Sequence, residues 1–195
     1  TETLRENVTG VKCAAFGSEA LRDNTADENT ALGYCAGLFN SSGAEHTFVG
    51  SRAAETNTTG AENVAVGREA LFTNTTGSYN TALGKGALQA STTSSYNTAV
   101  GHNALNANTT GAGNAAVGYQ ALDANTTGND NTAVGVNALG ANTTSTNNTA
   151  FGNSALASQA AGGGYNIAIG NSALYSSTGS EYNVAIGYEL ALIHI

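Results

Sequence analysis

The residues of this chain that could act in catalysis or metal binding are few and scattered. Its only cysteines are Cys13 and Cys35, and its three histidines are His46, His102 and His194. A zinc site needs such ligands grouped at short spacings, and two isolated cysteines without a nearby histidine pair do not provide one. No Ser-His-Asp arrangement, glycosidase-like carboxylate pair or phosphate-binding glycine loop stands out. We therefore predict no catalytic residue, no metal, no cofactor and no enzyme activity.

The composition excludes two further classes of partner. The net charge is −8, and the six Lys and Arg residues are dispersed, whereas nucleic-acid binding requires clustered cations to neutralise phosphate. No apolar run approaches the roughly 20 residues of a membrane helix, so no membrane insertion is expected. The chain has no initiating Met and no signal peptide, and we expect it to be a fragment of a longer protein.

The elements that position these residues belong to a repeat. A glycine preceded by an aliphatic or Phe residue recurs at intervals of 16 to 18 residues, most often 17. The consensus of the unit is N-T-A-[VLFI]-G-x-x-A-L-x-A-N-T-T-G-x-x. We call these the corner glycines, and they are Gly17, Gly33, Gly50, Gly67, Gly84, Gly101, Gly118, Gly135, Gly152, Gly170 and Gly187.

A unit of 17 residues is too short for a helical repeat, which needs about 33 residues or more. It suits one coil of a β-solenoid with two short strands and two or three turns. Alternation in Thr98–Val100 indicates a strand, and the glycine that follows suits a corner with an unusual φ. Residues 104–107 are predicted to form the second strand, and Asn-Thr-Thr-Gly is typical of a turn. We predict an all-β chain, a parallel β-solenoid of about eleven 17-residue coils.

Equivalent residues of successive coils should form columns along the solenoid axis. Stacked Asn amides can hydrogen-bond to their copies above and below. The first column is Asn29, Asn63, Asn80, Asn97, Asn114, Asn131, Asn148, Asn166 and Asn183. A second column is Leu21, Leu71, Leu88, Leu105, Leu122, Leu139, Leu156 and Leu174, and the Val100 position forms a third.

The repeat also predicts the organisation of the chain and its association. We expect residues 1–12 to end a preceding coil, 13–187 to form the repeat, and 188–195 to be a partial coil leading into a following segment. Each coil supplies only two or three large aliphatic side chains for burial. The small columns at Ala99 and Ala104 would allow flat faces of different copies to approach closely. We therefore expect a self-associating assembly.

Two stretches carry a family resemblance. Residues 166–173 read NIAIGNSA and residues 183–187 read NVAIG, and both resemble head repeats of trimeric autotransporter adhesins of the YadA type. The longer unit with its NTTG insert is similar to repeats of phage-tail-fibre-like surface fibres. The resemblance implies a left-handed β-roll in a homotrimer, located on a cell surface or virion, that acts as an adhesive head or shaft. A host surface glycan or protein would be its partner. The head unit of the adhesins is typically shorter than the present one.

The remaining candidates have structural alternatives. Cys13 and Cys35 occupy different repeat positions, which disfavours a bridge within the chain and favours two free thiols, with an interchain disulfide as the alternative. His46 replaces Asn in the first column, which favours a structural hydrogen bond. Glycosylation sequons coincide with the repeat turn, and the structural interpretation is favoured over glycosylation. These sequons begin at Asn7, Asn40, Asn57, Asn74, Asn108, Asn125, Asn142 and Asn147.

Four tyrosines share the position directly before the first-column Asn, namely Tyr79, Tyr96, Tyr165 and Tyr182. If exposed, they suit recognition of carbohydrate or protein, because each ring offers apolar area and a polar tip. Packing at a subunit seam is the alternative. The favoured function is a structural and adhesive segment of a trimeric extracellular fibre. An ice-binding solenoid with Thr and Asn columns, or a passive fibre spacer, are the alternatives.

Overall fold

The computed structural model describes residues 3–4, 9–159, 162–177 and 179–190. Eleven strands of three residues pair in chain order into one parallel sheet, with about ten turns of solenoid. The predicted parallel β-solenoid is thereby confirmed. The strands are β1 (Ala14–Phe16), β2 (Thr30–Leu32), β3 (Thr47–Val49), β4 (Val64–Val66), β5 (Thr81–Leu83), β6 (Thr98–Val100), β7 (Ala115–Val117), β8 (Thr132–Val134), β9 (Thr149–Phe151), β10 (Ile167–Ile169) and β11 (Val184–Ile186).

Adjacent strands pair with equivalent residues side by side. In β6 and β7, for example, Ala99 lies opposite Ala116. The N–H of Thr98 donates to the carbonyl of Asn114 at 2.8 Å, so that the backbone bonds run from coil to coil. A slip of one residue in the pairing would turn every strand side chain to the other face. The 16- and 18-residue intervals keep the register, with Ala15 opposite Ala31 and Ala150 opposite Ala168, because the change in length lies outside the strands.

The second strand predicted over residues 104–107 is wrong. This part of each coil is a turn. In the coil of Leu105, for example, Asn103 and Leu105 have φ values of 55° and 51°. The N–H of Leu105 nevertheless donates to the carbonyl of Ala121 in the next coil, at 3.0 Å. Coil-to-coil hydrogen bonds therefore continue on this side without an extended backbone.

The interior of the solenoid is narrow, and in most coils it is filled by one large apolar side chain. Ala99 at the centre of its strand, Ala104 and Leu105 are all fully buried. The predicted leucine column lies inside along its whole length, with Leu174 the most exposed member at 3%. Ala of the strand and Leu of the turn face each other across the roll, so the strand side has room only for a methyl group.

The outward face of the sheet differs from the sequence prediction. The alanine columns at Ala99 and Ala104 were expected between copies, but they lie inside the roll, and this prediction is wrong. The Val100 position, counted among the residues to be buried, points outward instead. We call this position the outer apolar column, whose residues are exposed or half-exposed. It contains Phe16, Leu32, Val49, Val66, Leu83, Val100, Val117, Val134, Phe151, Ile169 and Ile186.

In the early coils, a larger residue in the strand compensates for smaller residues in the leucine column. Phe48 replaces the central strand alanine and is fully buried. In the leucine column, Gly37 and Ala54 stand where Leu is expected. A Cβ built on Gly37 would lie 2.7 Å from Cδ2 of Phe48, so the aromatic ring fills the space that a leucine would occupy. Substitutions in neighbouring coils therefore compensate each other.

The corner glycines have φ values between 129° and 149°, in a region that favours glycine. A Cβ on Gly101 would lie 2.7 Å from the carbonyl carbon of Gly118 in the next coil. Only glycine therefore allows the corners to stack at the spacing of the sheet.

The two ends are described only in part. The N–H of Leu4, in the segment expected to end a preceding coil, donates to the carbonyl of Ala20 at 3.2 Å, as Leu105 does to Ala121. Asn7, His194 and most of the expected exit segment 188–195 lie outside the described residues. No helix in the described part of the chain is long and apolar enough to cross a membrane.

Candidate functional site

The first asparagine column is an internal hydrogen-bond ladder. The backbone N–H of Asn97 donates to Oδ1 of Asn80 at 3.0 Å, and its Nδ2 donates to the carbonyl of Gly111 at 3.0 Å. Asn114 repeats the first bond to Asn97 at the same distance. These amides are buried, so the column ties neighbouring coils together and offers nothing to an external ligand.

A second amide ladder, which the sequence analysis missed, is formed by the Asn of the NTTG turn. Nδ2 of Asn125 donates to Oδ1 of Asn108 at 2.8 Å and to the carbonyl of Gly128 at 3.0 Å. The signal was the recurrence of Asn three residues before Gly. The members of this ladder that belong to predicted sequons are fully buried, and they are Asn40, Asn57, Asn74, Asn108, Asn125 and Asn142. Among the described sequon residues, only Asn147 is exposed.

The second ladder changes where the repeat changes. Ser91 replaces Asn and pairs with Ser94 through their hydroxyls at 2.6 Å. Oδ1 of Asn74, in the preceding coil, has no hydrogen-bond partner among the described residues as a result. In the 18-residue interval, Gln159 reaches the carbonyl of Gly163, four residues on instead of three. The extra methylene of Gln thus matches the extra residue of backbone.

His46 is a buried member of the first column. Its side chain is 1% exposed, its Nδ1 accepts the N–H of Asn63 at 3.1 Å, and its ring stacks on Phe48 at 4.5 Å. Burial lowers its pKa from 6.5 to about 4. The imidazole is therefore neutral at physiological pH and takes the structural place of an asparagine.

Both cysteines are free thiols in the structure. Cys13 is half-buried, with its Sγ 3.2 Å from the carbonyl oxygen of Ala26. Cys35 is buried, and this burial raises the pKa of its thiol. In the described part of the chain, no three or more His, Cys, Asp or Glu side chains are grouped to hold a metal ion.

Threonine hydroxyls form a further ladder on the side of the NTTG turn. Oγ1 of Thr109 donates to the carbonyl of Thr126 at 3.0 Å, and Thr126 repeats the bond to Thr143 at 3.0 Å. These hydroxyls are used within the protein. The next residue of each turn points outward, and this exposed rank is Thr59, Thr76, Thr93, Thr110, Thr127 and Thr144.

The four predicted tyrosines lie in one outward column with left-handed backbone. We call it the left-handed column, because all its residues have φ between 54° and 69°. Only one of its eleven residues is glycine, so the conformation is imposed by hydrogen bonds between coils, such as Tyr96 N–H to the Ser78 carbonyl at 3.1 Å. Its members are Lys12, Glu28, Glu45, Glu62, Tyr79, Tyr96, Gly113, Asp130, Asn147, Tyr165 and Tyr182.

The structure brings these tyrosines together as two stacked pairs. The ring centroids of Tyr79 and Tyr96 are 5.0 Å apart with an angle of 5°, and those of Tyr165 and Tyr182 are 5.1 Å apart with an angle of 9°. Their exposed fractions lie between 47% and 72%, so all four are available to a ligand in the single chain. The charge of Glu62 raises the pKa of Tyr79.

Comparison with known proteins gives no relative for this chain. No protein-family model, no curated protein and no solved structure matches it. The β-solenoid is therefore established by the structure itself, while the resemblance to trimeric adhesin heads stays a prediction.

Proposed function

We propose that this chain is a structural and adhesive segment of a homotrimeric extracellular fibre, which forms or projects a surface-binding head on a cell or virion and has no catalytic role. The outer apolar column carries the proposal. It places an exposed or half-exposed aliphatic or Phe side chain on every one of the eleven strands. Continuous exposed apolar surface of this extent is typical of an interaction site.

The geometry of the column suits association with further copies of the same chain. Ten strand spacings at ~4.8 Å give a stripe of roughly 48 Å. Copies related by rotation about an axis parallel to the stripe would each cover it along its full length. The resemblance to trimeric adhesin heads favours three copies over two.

The same arrangement leaves the left-handed column for recognition. Tyr96 and Val100 are four residues apart across a strand, which separates the two columns by about 13 Å. Association through the outer apolar column therefore leaves the tyrosines at the far edge of the sheet. The first column bonds each coil to the next from Asn29 to Asn183, and the second ladder and the leucine column add contacts over most of their length, which gives the rigidity that a projecting head requires.

Ice binding receives less support from the structure. A flat array of free hydroxyls is needed, but Thr109 and its equivalents donate to backbone carbonyls. Outward Thr ranks remain at the Thr110 position and at the second position of the unit, where Val64, Ile167 and Val184 interrupt the rank. Thermal hysteresis and ice shaping by the purified chain would favour this alternative. A passive spacer is the conclusion if whole-cell and glycan binding are all negative.

Size-exclusion chromatography with light scattering tests the assembly. We expect three times the single-chain mass of 19.4 kDa. The double variant Leu83→Lys/Val117→Lys should be monomeric, because it places charges in the outer apolar column. Thr110→Lys/Thr127→Lys, on another side of the solenoid, is the matched control and should remain trimeric. A well-behaved wild-type monomer would contradict the proposal.

Whole-cell binding tests the adhesive role. Replacing the four tyrosines of the left-handed column by Ala should abolish binding and leave the trimer intact. Tyr119→Ala/Tyr188→Ala is the control, because these exposed rings belong to another column. Undiminished binding by the fourfold variant would exclude the left-handed column as the recognition surface.

A further inference from the structure

The left-handed column contains one position without a side chain. Tyr96 is covered on one side by Tyr79, and the next coil presents Gly113, which is exposed. Gly113 follows Tyr96 in the column, because the N–H of Gly113 donates to the carbonyl of Ser95, the residue directly before Tyr96, at 3.2 Å. The second face of the Tyr96 ring therefore looks onto a position that has no side chain of its own.

The backbone does not require glycine at this position. Gly113 has a φ of 69°, but the ten other members of the column adopt 54–62° with side chains attached. Four of these ten are tyrosines. The left-handed backbone thus does not account for the absence of a side chain at Gly113, and a side chain there would require the Asp130 carboxylate to move.

The gap has the thickness of one ring. Asp130 follows Gly113 by one coil, which places it about 9.6 Å from Tyr96 along the axis at ~4.8 Å per coil. The Tyr79 and Tyr96 rings, at 5.0 Å, show that stacked rings follow the coil spacing. A ligand ring at the level of Gly113 would therefore lie at stacking distance from Tyr96.

A carboxylate lies at the edge of the gap. A methyl group built on Gly113 would overlap Oδ1 of Asp130, so this oxygen leans into the level of the glycine. Asp130 is exposed and has no ion pair among the described residues. An ionised carboxylate only accepts hydrogen bonds, so it requires donors on the rim of the ligand ring.

The Tyr96 ring is also supported on the face opposite Gly113. Tyr79 stacks on the opposite face of Tyr96, with the two ring centroids 5.0 Å apart. On the Tyr165 side, the other tyrosine pair is flanked by Asn147, whose side chain occupies the next position of the column and bonds to Thr146 at 3.2 Å.

We propose that the gap at Gly113, between Tyr96 and Asp130, binds the ring of a neutral hexopyranose. The apolar face of the sugar lies on Tyr96, and two hydroxyls on its rim donate to the Asp130 carboxylate. The net charge of −8 and the carboxylate itself disfavour sialylated or sulfated sugars. This inference rests on the proposed adhesive function and names the class of its ligand.

Saturation-transfer NMR on the full chain tests it, with the methyl glycosides of glucose, galactose and mannose as probes and N-acetylneuraminic acid as the anionic comparison. At least one neutral glycoside should bind and the acid should not. Gly113→Tyr fills the gap and should abolish binding, while thermal melting verifies that it folds. Tyr96→Ala and Asp130→Asn should each weaken binding about tenfold.

Asn147→Tyr is the matched control, since it adds a tyrosine to the same column without filling the gap, and its binding should equal that of the wild type. Unchanged binding by Gly113→Tyr, or no binding by the wild type, would overturn the glycan site. Retained binding to whole cells in that case would leave the adhesive function standing. If the wild type does not bind whole cells, the adhesive function itself is excluded.

Discussion

The buried imidazole of His46 makes the stability of the solenoid depend on pH in a defined window. Its folded pKa of about 4 lies below the unfolded value of 6.5, because burial disfavours the charged form. The unfolded chain therefore binds a proton that the folded chain does not. The contribution of the neutral imidazole to the free energy of unfolding is fully present above pH 6.5, decreases as the pH falls, and stops decreasing below about pH 4.

The size of the effect follows from the two pKa values. Their difference corresponds to about 3 kcal/mol of unfolding free energy, of which about 2 kcal/mol is lost by pH 5. Because the residue is 1% exposed, solvent screening reduces this little. The substitution His46→Asn restores the residue of the first column and removes the titrating group.

Urea unfolding at pH 7 and pH 5 measures the effect for both chains. The wild type and the variant have the same carboxylates, whose titration affects both equally. The wild type should therefore lose about 2 kcal/mol more unfolding free energy than His46→Asn between the two pH values. His102→Asn is the control, because it makes the same substitution at an exposed histidine. Equal losses in the wild type and His46→Asn would refute the assignment of a buried neutral imidazole.

Three further substitutions test the packing, each followed by urea unfolding. Gly101→Ala should cost about 3 kcal/mol or more, because its Cβ would meet the next corner at 2.7 Å; a neutral result would contradict the stacked corners. Ser91→Asn should add about 1 kcal/mol, because its amide can donate to the unpaired Oδ1 of Asn74; a loss of stability would argue against the second ladder. Phe48→Ala should cost about 3–5 kcal/mol, and adding Gly37→Leu should recover part of it; no recovery would exclude the proposed exchange of volume.

For the four tyrosines of the left-handed column, the sequence predicted part of the candidate site. Their common position before the Asn column could be read directly, because a period of 17 residues brings equivalent residues into one column. The stacking of Tyr79 on Tyr96 and the gap at Gly113 could not be read in the same way. They depend on a left-handed backbone that tyrosine rarely adopts by itself and that only hydrogen bonds to the neighbouring coils impose.

The period alone determined the stacked coils, the parallel sheet and the first amide ladder, because a recurring interval brings equivalent side chains of successive coils into one column. The alternation in Thr98–Val100 also showed that the strand has two faces. It did not show which face is inside, since the larger Val100 lies outside and Ala99 inside. Tertiary structure decided this, because Leu105 enters from the opposite side of a narrow roll and leaves the strand room for a methyl group alone.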